Sequence, residues 1–207
     1  MEYKHHPYSY SKHQKTDIPI SIDTRKSQVA DSALKAGARI INDVSGLRYD
    51  NKMARVAAKY GASLIIMHAK GTPKDMQDSP RYGNLIKDII ASLKGSIEIA
   101  KNSGVSEDRI IVDPGIGFGK TVEHNLEILN RLGELKVLGR PICVGTSRKS
   151  FIGKVLGAPD PADRLSGTIV TCVIAIMKGV SILRVHDVEA VKEAARMADS
   201  VTRPKDN

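Results

Sequence analysis

The groups best able to do chemistry in this sequence recur at the ends of short apolar runs. They are Asp23, Asn42 with Asp43, His68, Asp113, the adjacent cations Arg148 and Lys149, and Arg184 with His186. An ionised carboxylate only accepts hydrogen bonds, whereas an amide both accepts and donates. Asp23, Asn42 and Asp113 in one pocket would therefore recognise a flat heterocycle bearing donors and acceptors. Lys149, Arg184 and His186 suit a phosphate or pyrophosphate, whose oxygens make strong charge-assisted bonds. In "VGTSRKSFIG" (144–153), a helix starting after Lys149 with Ser150 at its head would add backbone N–H groups for a carboxylate or phosphate. Each residue alone has a plainer reading: Asp23 or Asp113 as a helix cap, Asn42 as a turn residue, His68 as a satisfied loop histidine. A polar group at every run's end favours the joint reading. "DPGIGFGKT" (113–121) resembles a phosphate loop only superficially, since it lacks the Walker spacing and Pro114 has no N–H to offer.

The elements that must position these groups follow from a repeating pattern. Apolar strands are expected at 18–24, 39–43, 63–68, 109–113, 141–145 and 181–186, with amphipathic helices between them. In the first helix Val29, Ala30, Ala33 and Leu34 share a face; in the last, Val188, Val191, Ala195 and Ala198 do. Gly37, Gly61, Gly104 and Gly179 stand where left-handed C-terminal caps belong, and Asp187 where an N-cap belongs. Strands alternating with helices imply an α/β fold with a parallel sheet buried on both faces. An open doubly wound sheet and a (β/α)8 barrel both satisfy that. The first strand is not followed by Gly-x-Gly-x-x-Gly, which weakens the dinucleotide-binding version of the open sheet. In a barrel all the strand ends meet at one mouth.

Composition sets the outer limits. The 207 residues are 41% hydrophobic and 27% charged, values of an ordinary globular domain. Residues 1–16 stand apart as a polar, His- and Tyr-bearing tail, expected to be disordered, ahead of one domain at 17–207. The longest apolar run, 169–177, is too short to span a bilayer, and no export signal opens the chain, so a cytoplasmic protein without membrane contact is expected. Cys143 and Cys172 lie in apolar segments without metal-type spacing and read as core residues in a reducing compartment. The net charge of +9 could favour nucleic acid, but the cations are scattered and only 4% of residues are aromatic. That argues against a nucleic-acid partner.

Taken together, "ISIDTRK" (20–26), "IINDVSG" (40–46), "IIMHAKGTPKDMQ" (65–77), "IIVDPGIGFGKT" (110–121), "GTSRKSFIG" (145–153) and "RVHDV" (184–188) resemble the dihydropteroate synthase family in order and spacing. The resemblance implies a (β/α)8 TIM barrel and a transferase of folate biosynthesis, which joins a dihydropterin-CH2-pyrophosphate to p-aminobenzoate and releases pyrophosphate with the help of Mg2+. Carried over by position, Asp23, Asn42, Asp113 and Lys149 would bind the pterin, with Met67 and Phe118 packed around it. Arg184 and His186 would hold the pyrophosphate, and Ser150 would help seat the aminobenzoate carboxylate. Lys149, Arg184 and His186 would be the catalytic members, with Arg148 supporting the loop. Two family segments, "NVTPDSFSDGG" and "GGESTRPG", are absent here, and with them the Asn that contacts Mg2+. The expected fold is thus a barrel truncated at its N-terminus to about six βα units, with two sheet edges left open and no metal ligand of its own. Two other readings stay open: a non-catalytic pterin-binding protein or inactive fragment, and a pterin-dependent methyltransferase, against which "SRKS" and "RVHD" count. The apolar run 169–177 would suit either a homodimer interface or the barrel core.

Overall fold

The computed structural model describes residues 17–71 and 80–202. The tail expected at 1–16 lies outside the described residues. Six strands follow in chain order: β1 (Ser21–Asp23), β2 (Ile40–Asp43), β3 (Ser63–Met67), β4 (Ile110–Asp113), β5 (Cys143–Val144) and β6 (Ile182–Leu183). Helices α1 (Ser27–Lys35), α2 (Met53–Tyr60), α3 (Leu85–Asn102) and α4 (Val122–Arg131) follow the first four strands. Both α5 (Ser150–Leu156) and α6 (Leu165–Met177) separate β5 from β6, and α7 (Val188–Thr202) comes last. The described residues thus hold seven helices rather than the six expected, because Gly157 ends α5 in a left-handed cap (φ 68°) and α6 starts afresh after a turn at Pro161–Arg164.

All strand pairs are parallel, in the order β1-β2-β3-β4 and β5-β6, and a bridge between Val112 and Ile142 joins β4 to the segment entering β5. The strands are shorter than the apolar runs that announced them. Pro19 and Pro141 have no N–H to donate to a ladder, so pairing begins after each. At the other end, Arg184 and His186 lie beyond the last paired residue of β6.

Six parallel strands about 4.8 Å apart would hold β1 and β6 roughly 24 Å from each other in a flat sheet. Yet Arg184, just after β6, reaches Asp23 at the end of β1 with a 3.0 Å ion pair. The row of strands must therefore curl round, as an arc of a (β/α) barrel does and an open doubly wound sheet does not.

The twofold period of the strands divides their side chains between two cores. Ile41, Leu64, Ile66, Ile110, Val112 and Val144 face outward and are buried under the helices. Ile65, Ile111 and Cys143, with Ile40 and Ile182 against them, make a smaller cluster on the concave side. Helix α3 shows how the sequence builds the outer layer. Asn84 caps it by accepting the Lys87 N–H (3.1 Å), and Leu85, Ile86, Ile89, Leu93, Ile97 and Ala100 form its buried face. The expected glycine caps are present, with φ between 58° and 108° at Gly37, Gly61, Gly104 and Gly179. Asp187 does otherwise: its carboxylate is taken by Arg148 instead of capping α7.

Candidate functional site

The register of the sheet decides which polar side chains share a face. Asp23 is level with Asn42, and Met67 with Asp113, and all four continue the concave side above the small apolar cluster. Asp43 and His68, one residue further on, belong to other tasks. Asp43 is fully buried and accepts the backbone N–H groups of Ser45 (2.8 Å) and Leu47 (2.9 Å), so it shapes the turn after β2. His68 is buried at the end of β3, and burial pushes its pKa down to about 3, so its ring is neutral. It is the satisfied histidine of the plainer reading.

At the mouth, Asn42 Nδ2 donates to Asp23 Oδ2 (2.8 Å), which also receives Arg184 Nη1 (3.0 Å). Deeper in, the buried carboxylate of Asp113 accepts the Gly115 N–H (2.7 Å) on one oxygen. Among the described residues no donor reaches its other oxygen. Burial raises the pKa of Asp113, while the Gly115 N–H and the charges of Lys149, Arg184 and Lys120 pull the other way. Lys149 turns back into the same space. Its Nζ lies 4.5 Å from the centroid of the Phe118 ring and donates to the Ile116 carbonyl. Burial lowers its pKa to about 8.

Small residues make this convergence possible. A Cβ on Gly117 (φ 83°) would come within 2.9 Å of Lys149 Cδ, and one on Gly145 would meet the Arg184 guanidinium at 3.2 Å. The run "GIGFGK" is therefore a close-packed loop that lays Phe118 beside Lys149, not a phosphate cradle. Its last residue, Lys120, escaped the reading of the sequence. Lys120 is only 4% exposed, donates to the carbonyls of Phe118 (2.9 Å) and His68 (3.3 Å), and lies 3.1 Å from His68 Nδ1. A glycine at every second position directly after Asp113 was the available sign that the following side chain folds inward.

The remaining expected site residues sit at the rim. His186 is exposed; its N–H donates to Ser147 Oγ (3.2 Å), which also lies 3.0 Å from its Nδ1. Ser150 is exposed as the first residue of α5, next to Lys149. The structure thus brings Asp23, Asn42, Met67, Asp113, Phe118, Lys149 and Arg184 to one concave site, with His186 and Ser150 on its edge.

The donor set does not make a protein-held site for the Mg2+ that the resemblance implies. Among the described residues no three His, Cys, Asp or Glu side chains are placed to hold a metal ion. The Asn42 amide and the Arg184 guanidinium both bond Oδ2 of the exposed Asp23 carboxylate, and this one carboxylate does not by itself supply the several oxygen ligands in octahedral array that Mg2+ seeks. No helix among the described residues is long and apolar enough to cross a membrane.

The profile of the pterin binding enzyme family matches residues 10–186. A dihydropteroate synthase of Synechocystis sp. is 48% identical over 190 residues, which cover 92% of this chain and 66% of that protein. That of Clostridium beijerinckii is 50% identical over 188 residues, covering 90% and 67%. Among solved structures, a Clostridium difficile dihydropteroate synthase, crystallised in the presence of pteroic acid, superposes with a TM-score of 0.86 at 51% identity, over 92% of this chain and 70% of that one. The Thermus thermophilus enzyme in complex with 6HMPPP gives 0.84 at 43% identity, over 89% and 72%. The chain spans about two thirds of the length of these curated relatives.

Proposed function

This chain belongs to the pterin binding enzyme family, and from that premise we propose that its concave site takes a dihydropterin-CH2-pyrophosphate and condenses it with p-aminobenzoate to dihydropteroate. The observation that carries this reading is the buried Asp113 carboxylate, with one oxygen tied to Gly115 N–H and the other open to the site, beside Lys149 and Phe118. A pterin edge offers the N–H donors that such an oxygen accepts, and its ring presents a face to Phe118. Asn42 and Lys149 serve the ring's remaining acceptors. In this reading Arg184 supplies cationic donors to the departing pyrophosphate, with His186 at the rim beside it, and Ser150, the first residue of α5, takes the aminobenzoate carboxylate.

The reaction these groups would serve is a displacement at the pterin methylene. The arylamine nitrogen forms the new C–N bond, the C–O bond to pyrophosphate breaks with its electron pair leaving on oxygen, and the nitrogen gives up a proton to the departing pyrophosphate or to water. Arg184 and His186 stabilise the charge that collects on the departing pyrophosphate. Calorimetric titration with the pterin pyrophosphate, followed by p-aminobenzoate and a pyrophosphate-release assay, tests the reading. Binding and release in the chain, with binding lost in Asp113→Asn, is the expected result. Undiminished binding in that variant would overturn it.

Two further features belong to the same reading. Free, buried thiols at Cys143 and Cys172 support the cytoplasmic location expected from sequence. Helix α6 turns out to be two-faced: Thr168, Cys172, Ala175 and Ile176 are buried, whereas Met177 is exposed beside Met197 and Val201 of α7. That outer apolar stripe supports a homodimer packed through α6 and α7. Sedimentation showing only monomer at high concentration would refute it.

A further inference from the structure

Arg148 is one of two non-glycine residues with positive φ among those described (57°), a conformation that L side chains adopt only when their surroundings impose it. Here three elements impose it. Thr168 Oγ1 of α6, fully buried, accepts the Arg148 N–H (3.0 Å). Arg164 Nη1, from the turn before α6, donates to the Arg148 carbonyl (2.9 Å). The Arg148 guanidinium grips Asp187 with two bonds, Nε to Oδ2 (3.0 Å) and Nη2 to Oδ1 (2.5 Å). The residue before it, Ser147, is bonded to both the N–H and the ring of His186.

Residues 147 and 148 therefore stand against residues 186 and 187 as two rungs. One rail continues directly into Lys149 beside Phe118, and the other carries Arg184 and His186. With its guanidinium committed to Asp187, Arg148 is not free to contact a ligand in the site. We propose that the Ser147–His186 and Arg148–Asp187 rungs are a positioning brace that couples the heterocycle end of the site to its anion end, so that the two halves of a pterin-linked diphosphate bind cooperatively. Arg148 and Asp187 are positioning residues, and the inference rests on the pterin reading above.

Asp187→Asn keeps the shape and removes the charge, while Arg148→Gly relieves the positive φ and deletes the grip. Binding of three probes is compared in wild type and both variants: a hydroxymethyl-dihydropterin, inorganic pyrophosphate, and the pterin pyrophosphate ester. The expected result is that the two separate probes bind within about twofold of wild type, while the ester loses roughly tenfold in both variants. Equal losses for all three probes would mean a general structural role and overturn the brace. Wild-type ester affinity in Arg148→Gly would mean that only backbone conformation matters, and would overturn it equally. If wild type binds no pterin probe, the functional reading fails, and the brace is judged by amide exchange alone. Exchange of the Arg148 N–H should then accelerate in Asp187→Asn, and unchanged protection would refute the brace.

Discussion

Lys120 offers a quantitative test of how the site loop is held. It carries an ammonium into a position 4% exposed, and burial drives its pKa to about 7, with the charge of Asp113 only partly offsetting that. An unfolded lysine titrates near pH 10.4. Between these values the unfolded chain binds a proton that the folded chain lacks, so stability must rise with pH, by at most about 1.4 kcal/mol per unit for one group. From about pH 7 to about pH 9 the folded lysine passes from half-protonated to essentially neutral, which amounts to about 2 kcal/mol. Lys149, with its pKa lowered to about 8 by the same cause, adds about 1 kcal/mol over that range. Burial raises Cys143 to about 12, while an unfolded thiol ionises near pH 8.5, so over the same range Cys143 opposes the trend by less than about 1 kcal/mol, in wild type and variant alike. The perturbation is Lys120→Met, which keeps the length and removes the titration. Its stability at any one pH mixes relief of the buried charge with the loss of donors to Phe118 and His68, but the slope separates the two. Urea denaturation followed by circular dichroism across this range should show a rise about 2 kcal/mol larger in wild type than in the variant. An equal rise in both would refute the assignment of Lys120 as a buried cation whose charge is only partly compensated.

Two other substitutions probe how the site is positioned. Gly117→Ala forces a side chain onto a φ of 83° and against Lys149; it should cost about 1–2 kcal/mol in denaturation and lower pterin affinity roughly tenfold or more. Wild-type affinity there would show that the place of Lys149 does not matter. Thr121 caps α4 in a capping box with His124, so Thr121→Ala should cost about 1 kcal/mol of stability with little effect on binding, read by thermal melting and calorimetry together.

What could be read from the sequence was whatever depends on neighbours along the chain. The six strands, the glycine caps at Gly37, Gly61, Gly104 and Gly179, and the polar groups at strand ends all follow from periodicity and turn chemistry over a few residues. For the same reason Asp23, Asn42 and Asp113 were legible as neighbours on one face of the sheet, since the twofold period of a strand places each on a known side of its neighbours. Bounds were less legible, because Pro19 and Pro141 delay pairing and β5 and β6 keep two residues each.

Tertiary structure decided the rest, because it depends on distances between residues far apart in the chain. The choice between a flat and a curled sheet rests on one contact, Arg184 to Asp23, separated by 161 positions. His68 became a buried neutral ring and Lys120 a buried cation only when β3 met the loop after β4. Asp187, a plausible helix cap by position, turned to Arg148 because a guanidinium 39 residues away offers a stronger, bidentate bond than a helix N–H does. Local sequence sets which face a side chain takes; the partner it finds there is chosen by the packing of the whole chain.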